Sequence, residues 1–488
     1  MIHRPHVDWF ALSPSLAMIG ATAVLLLVAV LVPRRARKPV AAAGAGAGFV
    51  AAFVLAVVLA AKSPGAKVEI ADSIFRDRWA ALAQVLVAGC GVVAVLLSYG
   101  ERWREEHLAE YYALLTAAGA GMAFFVQASN LMTLFLGLEW FSISLYVLCA
   151  IDIDLVGSLE AGLKYLIVGA VGSATLLFGS ALVYGATGQL GFDRIGSAGH
   201  THDSLLVLGL AMVIAGLAFK ASAAPFHMWT PDAYTGAPTP VTAFMSSATK
   251  VAALVVTYRL LVTAFPGEEH LWTWAIAGIA CASLAIGNIA ALAQRNVKRL
   301  LAYSSVSHAG FMLIPIAAAN ALGARALLYY LIPYCAMSLG AFGAIAARER
   351  ELGVPVTLDN LAGFGWERPL LGGAMATFML GFLGFPPTGG FLGKFYAFSA
   401  AYRHGWWWLI VVGVAATIVS AAYYLAVIRA MYFRESAELQ LAPAGGSPPR
   451  DLPLQTGVVL CLAVTIGSFF AVQPLIDAAH AAAGALPF

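Results

Sequence analysis

Three lysines, Lys220, Lys250 and Lys394, and one glutamate, Glu139, stand inside long apolar stretches of the chain. Charge at the centre of a membrane helix costs roughly 2.5 to 3.5 kcal/mol on insertion scales, so residues placed this way face a protein interior or a water-filled path. The chemistry they offer is proton carriage. A lysine titrates near about 10.4 in water, too high to release a proton readily at neutral pH, but burial disfavours its charged form and a nearby carboxylate favours it. His227 and His308 are the imidazoles that can join them, either as relay groups or as satisfied structural histidines. The alternative for each lysine is a snorkelling side chain whose ammonium reaches the membrane surface. Glu139, near the middle of LMTLFLGLEWFSISLYVL, fits that alternative least.

Two of the lysines adjoin helix breakers. In GLAFKASAAPFHMWTPDAYTGAPTP (216–240), Pro225 follows Lys220, and Pro231, Pro238 and Pro240 come after it. In MLGFLGFPPTGGFLGKFYAF (379–398), Pro386, Pro387, Gly389, Gly390 and Gly393 precede Lys394. A proline inside a helix removes one backbone hydrogen bond and clashes with the preceding turn. Both spans are therefore expected to break, leaving peptide groups that only water or neighbouring protein can satisfy. Interrupted spans in corresponding halves of a chain point to internal repeats with a pathway between them.

The elements that must position these residues are membrane helices. Of 488 residues, 61% are hydrophobic and only 11% charged, and the mean hydropathy is +0.83, more apolar surface than a soluble core needs. About fourteen stretches of the length needed to cross roughly 30 Å of hydrocarbon recur along the chain. They run approximately 11–33, 41–61, 79–99, 111–128, 131–150, 163–186, 204–224, 241–265, 271–293, 300–318, 324–346, 369–387, 406–431 and 454–479. The expected fold class is an all-α polytopic membrane protein.

Arg34, Arg35, Arg37 and Lys38 directly after the first span put that loop on the cytoplasmic side and the N-terminus outside. Alternation then puts Arg102 and Arg104, Arg295, Lys298 and Arg299, Arg348 and Arg350, and Arg434 and Arg450 inside, and both termini outside, with the 62–78 loop a basic exception on the outer side. Arg259, near the outer end of its span, reads as an anchor, and Glu160 with Lys164 as an i,i+4 staple of a helix start. The net charge of +3 lies mostly in short loops and carries no sign of a nucleic-acid partner.

No motif for a redox group or a metal is visible. Cys90, Cys149, Cys281, Cys335 and Cys461 are scattered singly, without a C-x-x-C pair, and read as small buried hydrophobes. The GAGAG run at 44–48 lies within a span and follows no soluble strand, so it reads as close helix packing rather than a dinucleotide loop. A Walker A loop and an H-E-x-x-H helix are absent, and His308, one imidazole without an evident axial partner, is weak evidence for haem. The chain is expected to bring no cofactor of its own.

The stretches FLGLEWFSISLYVL, EAGLKYLIVGAVGSATLLFGSALVYGATGQLGF, FKASAAPFHMWTPDAYTGAPTPVTAFMSSATKVAAL, NVKRLLAYSSVSHAGFMLI and GFPPTGGFLGKFYAF resemble the antiporter-like membrane subunits of respiratory complex I. Their order and the total length are most similar to subunit N, the bacterial counterpart of mitochondrial subunit 2. The resemblance covers residues 100–435 and implies two inverted five-helix repeats with broken helices, approximately 111–265 and 271–431. Three N-terminal helices (1–110) precede them, the second repeat occupies the block 266–435, and a loop with a last helix (436–488) follows. By motif, Glu139 matches the family's membrane glutamate, Lys220 the lysine of the first broken helix, His227 the histidine after that break, Lys250 the connecting lysine and Lys394 the lysine of the second broken helix. Ser144 stands where the family often has proline, which puts a kink there in doubt.

The resemblance and the residue types together imply a proton-translocating subunit of NADH:quinone oxidoreductase. A movable Glu139–Lys220 pair acts as the switch: paired, Lys220 keeps its proton, and loosened, it passes the proton along water and Lys250 toward Lys394, with His308 and His227 as further relay candidates. FMN, iron–sulfur clusters and quinone are expected in partner subunits, other membrane subunits as neighbours, and a bacterial cytoplasmic membrane as the location. The alternatives are a subunit of a multisubunit Na⁺/H⁺ antiporter, which shares the fold, and a non-conducting scaffold, which gains nothing from four charges inside the membrane.

Overall fold

The computed structural model describes residues 7–63, 65–101, 107–198, 203–434 and 451–488. Arg102, Arg104, Arg450 and the 436–450 loop lie outside the described residues. The chain opens with α1 (Trp9–Leu31), α2 (Arg34–Lys62) and α3 (Arg78–Ser98), and between the last two runs an antiparallel hairpin of β1 (Lys67–Glu69) and β2 (Ile74–Arg76) with Lys67 opposite Arg76. A first run follows: α4 (Leu108–Phe125), α5 (Leu131–Cys149), α6 (Val156–Thr187), the short α7 (Phe192–Ser197), α8 (Ser204–Lys220), α9 (Trp229–Gly236) and α10 (Thr239–Ala264). The same order returns in α11 (Glu269–Leu292), α12 (Val297–Ala317), α13 (Ala321–Leu352), the short α14 (Phe364–Glu367), α15 (Pro369–Leu383), α16 (Gly389–Arg403) and α17 (Trp407–Phe433), and α18 (Leu452–Phe470) and α19 (Val472–Ala483) close the chain. Among the described residues, 12 helices are long and apolar enough to cross a membrane, and α8 and α15 are shorter apolar helices that the breaks cut off. With each broken helix taken as one crossing, the crossings agree with the expectation from sequence.

The second helix of each run starts in the same way. Asn130 accepts the N–H of Thr133 (2.7 Å) and Asn296 that of Arg299 (3.0 Å), which satisfies one of the backbone donors a helix start leaves free. Each capped start is also pinned to the segment that leaves the third helix. Leu131 N–H donates to Leu190 O (3.0 Å) and Phe192 N–H to Ser129 O (2.8 Å) in the first run, and Val297 N–H to Val356 O (3.0 Å) and Leu358 N–H to Arg295 O (2.9 Å) in the second.

Burial sorts the helices. The apolar window of α10 is entirely buried and those of α12 and α13 nearly so, whereas α1, α2, α6, α17 and α18 bury well under half of theirs. Helices apolar on every side have no polar face to keep wet and can be enclosed on all sides. The charges and imidazole on α10 and α12 are therefore carried into the centre of the molecule. The GAGAG run packs as expected, with Gly48 of α2 against Ala21 of α1, where a side chain would collide.

Arg259 differs from its expected role. It is 2% exposed, forms an ion pair with Asp77 at 2.6 Å and lies over the Phe75 ring at 4.5 Å. It is an interior clamp between α10 and the start of α3, because the β-hairpin folds over the end of its span. The basic 62–78 segment likewise has its own partners: Arg76 pairs with Asp8 (2.7 Å) and Arg78 donates to Ala60 O (3.2 Å). Lys164 meets Glu160 at 2.7 Å as expected but also Asp232 at 3.1 Å, and Asp232 meets Arg299 at 2.6 Å, so the staple extends into a tie among α6, α9 and α12. The α5 helix runs unbroken through Ser144, whose hydroxyl donates to Trp140 O (3.2 Å).

Candidate functional site

Lys220, Lys250 and Lys394 are 1%, 0% and 5% exposed, which excludes snorkelling. The first break explains where two of them go. Helix α8 ends at Lys220, the chain turns through Ser222 (φ 62°) and a cis Ala224–Pro225 peptide, and α9 starts at Trp229. A helix that stops in the interior leaves carbonyls without partners at the negative end of its dipole. Here they are met one by one: Trp229 Nε1 donates to Phe219 O (3.0 Å), Ala223 N–H to Ala218 O (2.9 Å), and Lys250 Nζ to Ala221 O (2.9 Å). Ala224 N–H in turn donates to Ser283 Oγ of α11 (2.8 Å).

Lys220 points away from these carbonyls into a cage. Its Nζ donates to Ser142 Oγ (2.7 Å) and Tyr165 OH (3.1 Å) and lies over the rings of Phe141 (4.7 Å) and Tyr165 (5.1 Å). The negative ring faces favour the charged ammonium. Tyr165 is itself stacked on Trp229 at 4.4 Å, so the cage is braced by the residue that caps the break. Glu139 sits one turn before Ser142 on α5, close enough for its charge to act on Lys220. Among the described residues, however, no ion pair joins the two, and Glu139 Oε1 is buried without a hydrogen-bond partner. The expected switch pair is thus open in this structure, with hydroxyls holding the ammonium.

The second break repeats the electrostatic pattern. Helix α15 ends at Leu383, Gly384 takes the left-handed conformation (φ 86°) that favours glycine, and α16 begins after a cis Pro386–Pro387 peptide. Lys394 Nζ donates to Leu383 O (3.0 Å), lies 3.5 Å from Thr417 Oγ1 and sits over the Phe311 ring at 4.2 Å. Between the two breaks lies His308, 2% exposed, with Nδ1 3.0 Å from Tyr330 OH and Nε2 3.1 Å from Tyr424 OH. It is near enough to both Lys394 and Lys250 to feel their charges.

The structure therefore gathers Glu139 with Lys220 on one side, and His308 between Lys250 and Lys394 on the other. It does not join His227 to them: that residue sits in the turn after α8, its Nδ1 has no hydrogen-bond partner, and its ring lies 6.4 Å from that of Tyr303. The residues that the sequence reading missed are hydroxyls: Ser142, Tyr165, Ser304, Tyr330, Thr417 and Tyr424. One signal could have found two of them, because Tyr165 and Tyr330 occupy the same place in the two 32-residue helices α6 and α13.

Residues 128–420, which include both breaks and all four in-membrane charges, match a family described as NADH:quinone oxidoreductase/Mrp antiporter, transmembrane. The chain is 46% identical over 379 residues to NADH-quinone oxidoreductase subunit N of Azorhizobium caulinodans, which covers 77% of this chain and 78% of the relative. Among solved structures it is similar to a chain of respiratory complex I from Thermus thermophilus, with a TM-score of 0.81 at 31% identity over 96% of this chain and 100% of that one. It also shares its fold with a chain of the Mrp complex from a Dietzia species, with a TM-score of 0.83 at 22% identity over 98% and 97% of the two chains.

Proposed function

Because the chain belongs to the family of NADH-quinone oxidoreductase subunit N, a proton-translocating membrane subunit, we propose that Lys220, Lys250, His308 and Lys394, switched by Glu139, are its proton relay. The observation that carries this reading is the pair of ammonium groups at the two breaks, Lys250 on Ala221 O and Lys394 on Leu383 O. At each break the protein has placed a titratable cation against interrupted backbone, where a neutral donor could also cap the helix end but only a cation offers a proton to pass on.

In this mechanism Glu139 closes on Lys220 to hold its proton and withdraws to release it. The open arrangement, with Lys220 on Ser142 and Tyr165, is the releasing state. The proton moves through water at the first break to Lys250, then to His308, and on to Lys394. An imidazole can take a proton at one ring nitrogen and release one at the other, and His308 has a phenol on each. His227 lies at the mouth of the first break. Carrying a charge against about 100 mV costs roughly 2.3 kcal/mol, and the energy comes from redox chemistry in partner subunits that hold FMN, iron–sulfur clusters and quinone.

The neighbours are other membrane subunits, antiporter-like and small ones, in a bacterial cytoplasmic membrane. Equivalent helices of the two runs stand five crossings apart, an odd number, so the runs 111–265 and 271–431 traverse the bilayer in opposite senses as inverted repeats. With an even number of crossings and the basic loop after α1 on the cytoplasmic side, both termini face outward. A cation-antiporter module shares this fold, and the 46% identity to a subunit N is what favours the present reading. The test is Lys394→Ala in the assembled complex. Proton pumping and coupled quinone reduction fall, while assembly and NADH oxidation by an artificial acceptor stay near normal; an unchanged proton-to-electron ratio would reject the relay.

A further inference from the structure

Among the described residues, the phenol at Nε2 of His308 leads on to a further hydroxyl, which the one at Nδ1 does not. Tyr330 OH alone would fix the ring through Nδ1 (3.0 Å), yet Nε2 also meets Tyr424 OH (3.1 Å), and that hydroxyl is bonded onward to Ser304 Oγ, one turn before His308 on α12. The surroundings hold Tyr424 still. Its ring stacks on Phe382 at 5.7 Å, and the adjacent Tyr423 donates to Asn288 Oδ1 (2.9 Å), whose Nδ2 donates to Ser307 Oγ (2.9 Å). Ser304 and His308 are each about 2% exposed.

From this geometry we infer that Tyr424 and Ser304 form a side branch of the relay, through which His308 exchanges protons with water entering from the end of the bundle that carries Arg295, Lys298 and Arg299. The inference rests on the relay reading above and adds a second connection to it. A neutral imidazole has one donor and one acceptor nitrogen, so the two phenols play opposite roles toward the ring, and one proton passing through reverses both. In the releasing direction, Nε2 gives its proton to Tyr424 oxygen as Tyr424 gives its own to Ser304 Oγ and Ser304 gives its own to a water molecule. The phenol stays neutral, one proton is moved, and the reverse sequence admits one. Ser304 lies seven residues after Val297, about 10 Å of helix from the end of α12. Leu300 and Leu301, buried one turn below it, are the apolar stretch that entering water must pass.

The experiment compares proton uptake per NADH oxidised in vesicles carrying the assembled complex with Tyr424→Phe, Ser304→Ala, Ser304→Thr, Lys394→Ala, and Tyr258→Phe as a hydroxyl-removal control bonded elsewhere, to Asn320 O. Tyr424→Phe keeps the ring and its stacking, so packing is retained. Pumping in Tyr424→Phe and in Ser304→Ala is expected to fall about tenfold, less than the hundredfold or more that a positioned acid or base contributes, because water can partly replace a hydroxyl. Ser304→Thr restores it and Tyr258→Phe leaves it unchanged. If Tyr424→Phe does not assemble, Ser304→Ala with its threonine rescue decides alone. Normal pumping in Tyr424→Phe and Ser304→Ala together with lost pumping in Lys394→Ala overturns the branch and leaves the relay standing, whereas normal pumping in Lys394→Ala as well overturns both.

Discussion

At the first break the ammonium that meets the broken helix end comes from another helix, Lys250 of α10, whereas at the second it lies on the broken helix itself, with Lys394 of α16 reaching back to Leu383 of α15. The walls differ in a related way. Counted from Leu131 and Val297, the ninth residues of α5 and α12 are Glu139 and Ser305, and the twelfth are Ser142 and His308. The tenth residues of α6 and α13 are tyrosines in both, Tyr165 and Tyr330. One scaffold thus holds a carboxylate and a hydroxyl in its first copy, and a hydroxyl and an imidazole in its second. A carboxylate beside a buried ammonium stabilises its charged form, so the first copy can retain a proton and release it on movement. The second copy has no acid at that place and offers neutral carriers. In the proposed relay the first half therefore acts as the switch and the second as the conductor.

In the proposed relay Lys250 links both halves, so Lys250→Ala should give the largest loss, about a hundredfold in pumping rate, the contribution expected of a positioned proton carrier. It would also leave Ala221 O without its donor. Lys250→Arg keeps a cation there but cannot release a proton, and should therefore restore assembly without restoring pumping; pumping by the arginine variant would mean that the group only caps the helix. A smaller effect, about tenfold, is expected of Ser142→Ala, which removes one hydrogen bond to a charged group from the cage of Lys220. That loss should change the pH dependence of pumping, because the switch depends on how firmly Lys220 keeps its proton. The smallest effect is expected of Tyr330→Phe in the second half, with water replacing the phenol at Nδ1 of His308 and the pH dependence unchanged. A pH profile that moves in Tyr330→Phe but not in Ser142→Ala would reverse the assignment of switch and conductor.

The breaks and the charges were legible because both are costly in a membrane: prolines at 225, 386 and 387 cannot continue a helix, and a lysine in an apolar span stands out against its surroundings. The partners were not. A serine in a membrane helix can return its hydroxyl to the preceding turn, as Ser180 does to Leu176 O (2.8 Å), and a tyrosine reads as one more large ring among apolar neighbours, so nothing marks Ser142 or Tyr424 as different until the helices are packed. Arg259 was misread for a related reason. Its counter-charge, Asp77, lies 182 residues earlier, in a segment whose hairpin the hydropathy pattern does not announce. The open state of Glu139 and Lys220 is a matter of a few ångströms of side-chain position, which no spacing rule carries.

A switch requires Glu139 and Lys220 to act as one unit, although no ion pair joins them in this structure. Proton uptake in vesicles, measured for the parent complex, Glu139→Gln, Lys220→Ala and the double variant, tests this directly. Residues that form one device give non-additive losses, so the double variant should pump about as poorly as the worse single variant, with assembly and peripheral electron entry intact in all four. Losses that multiply, each change acting as if the other residue were still in place, would contradict the switch.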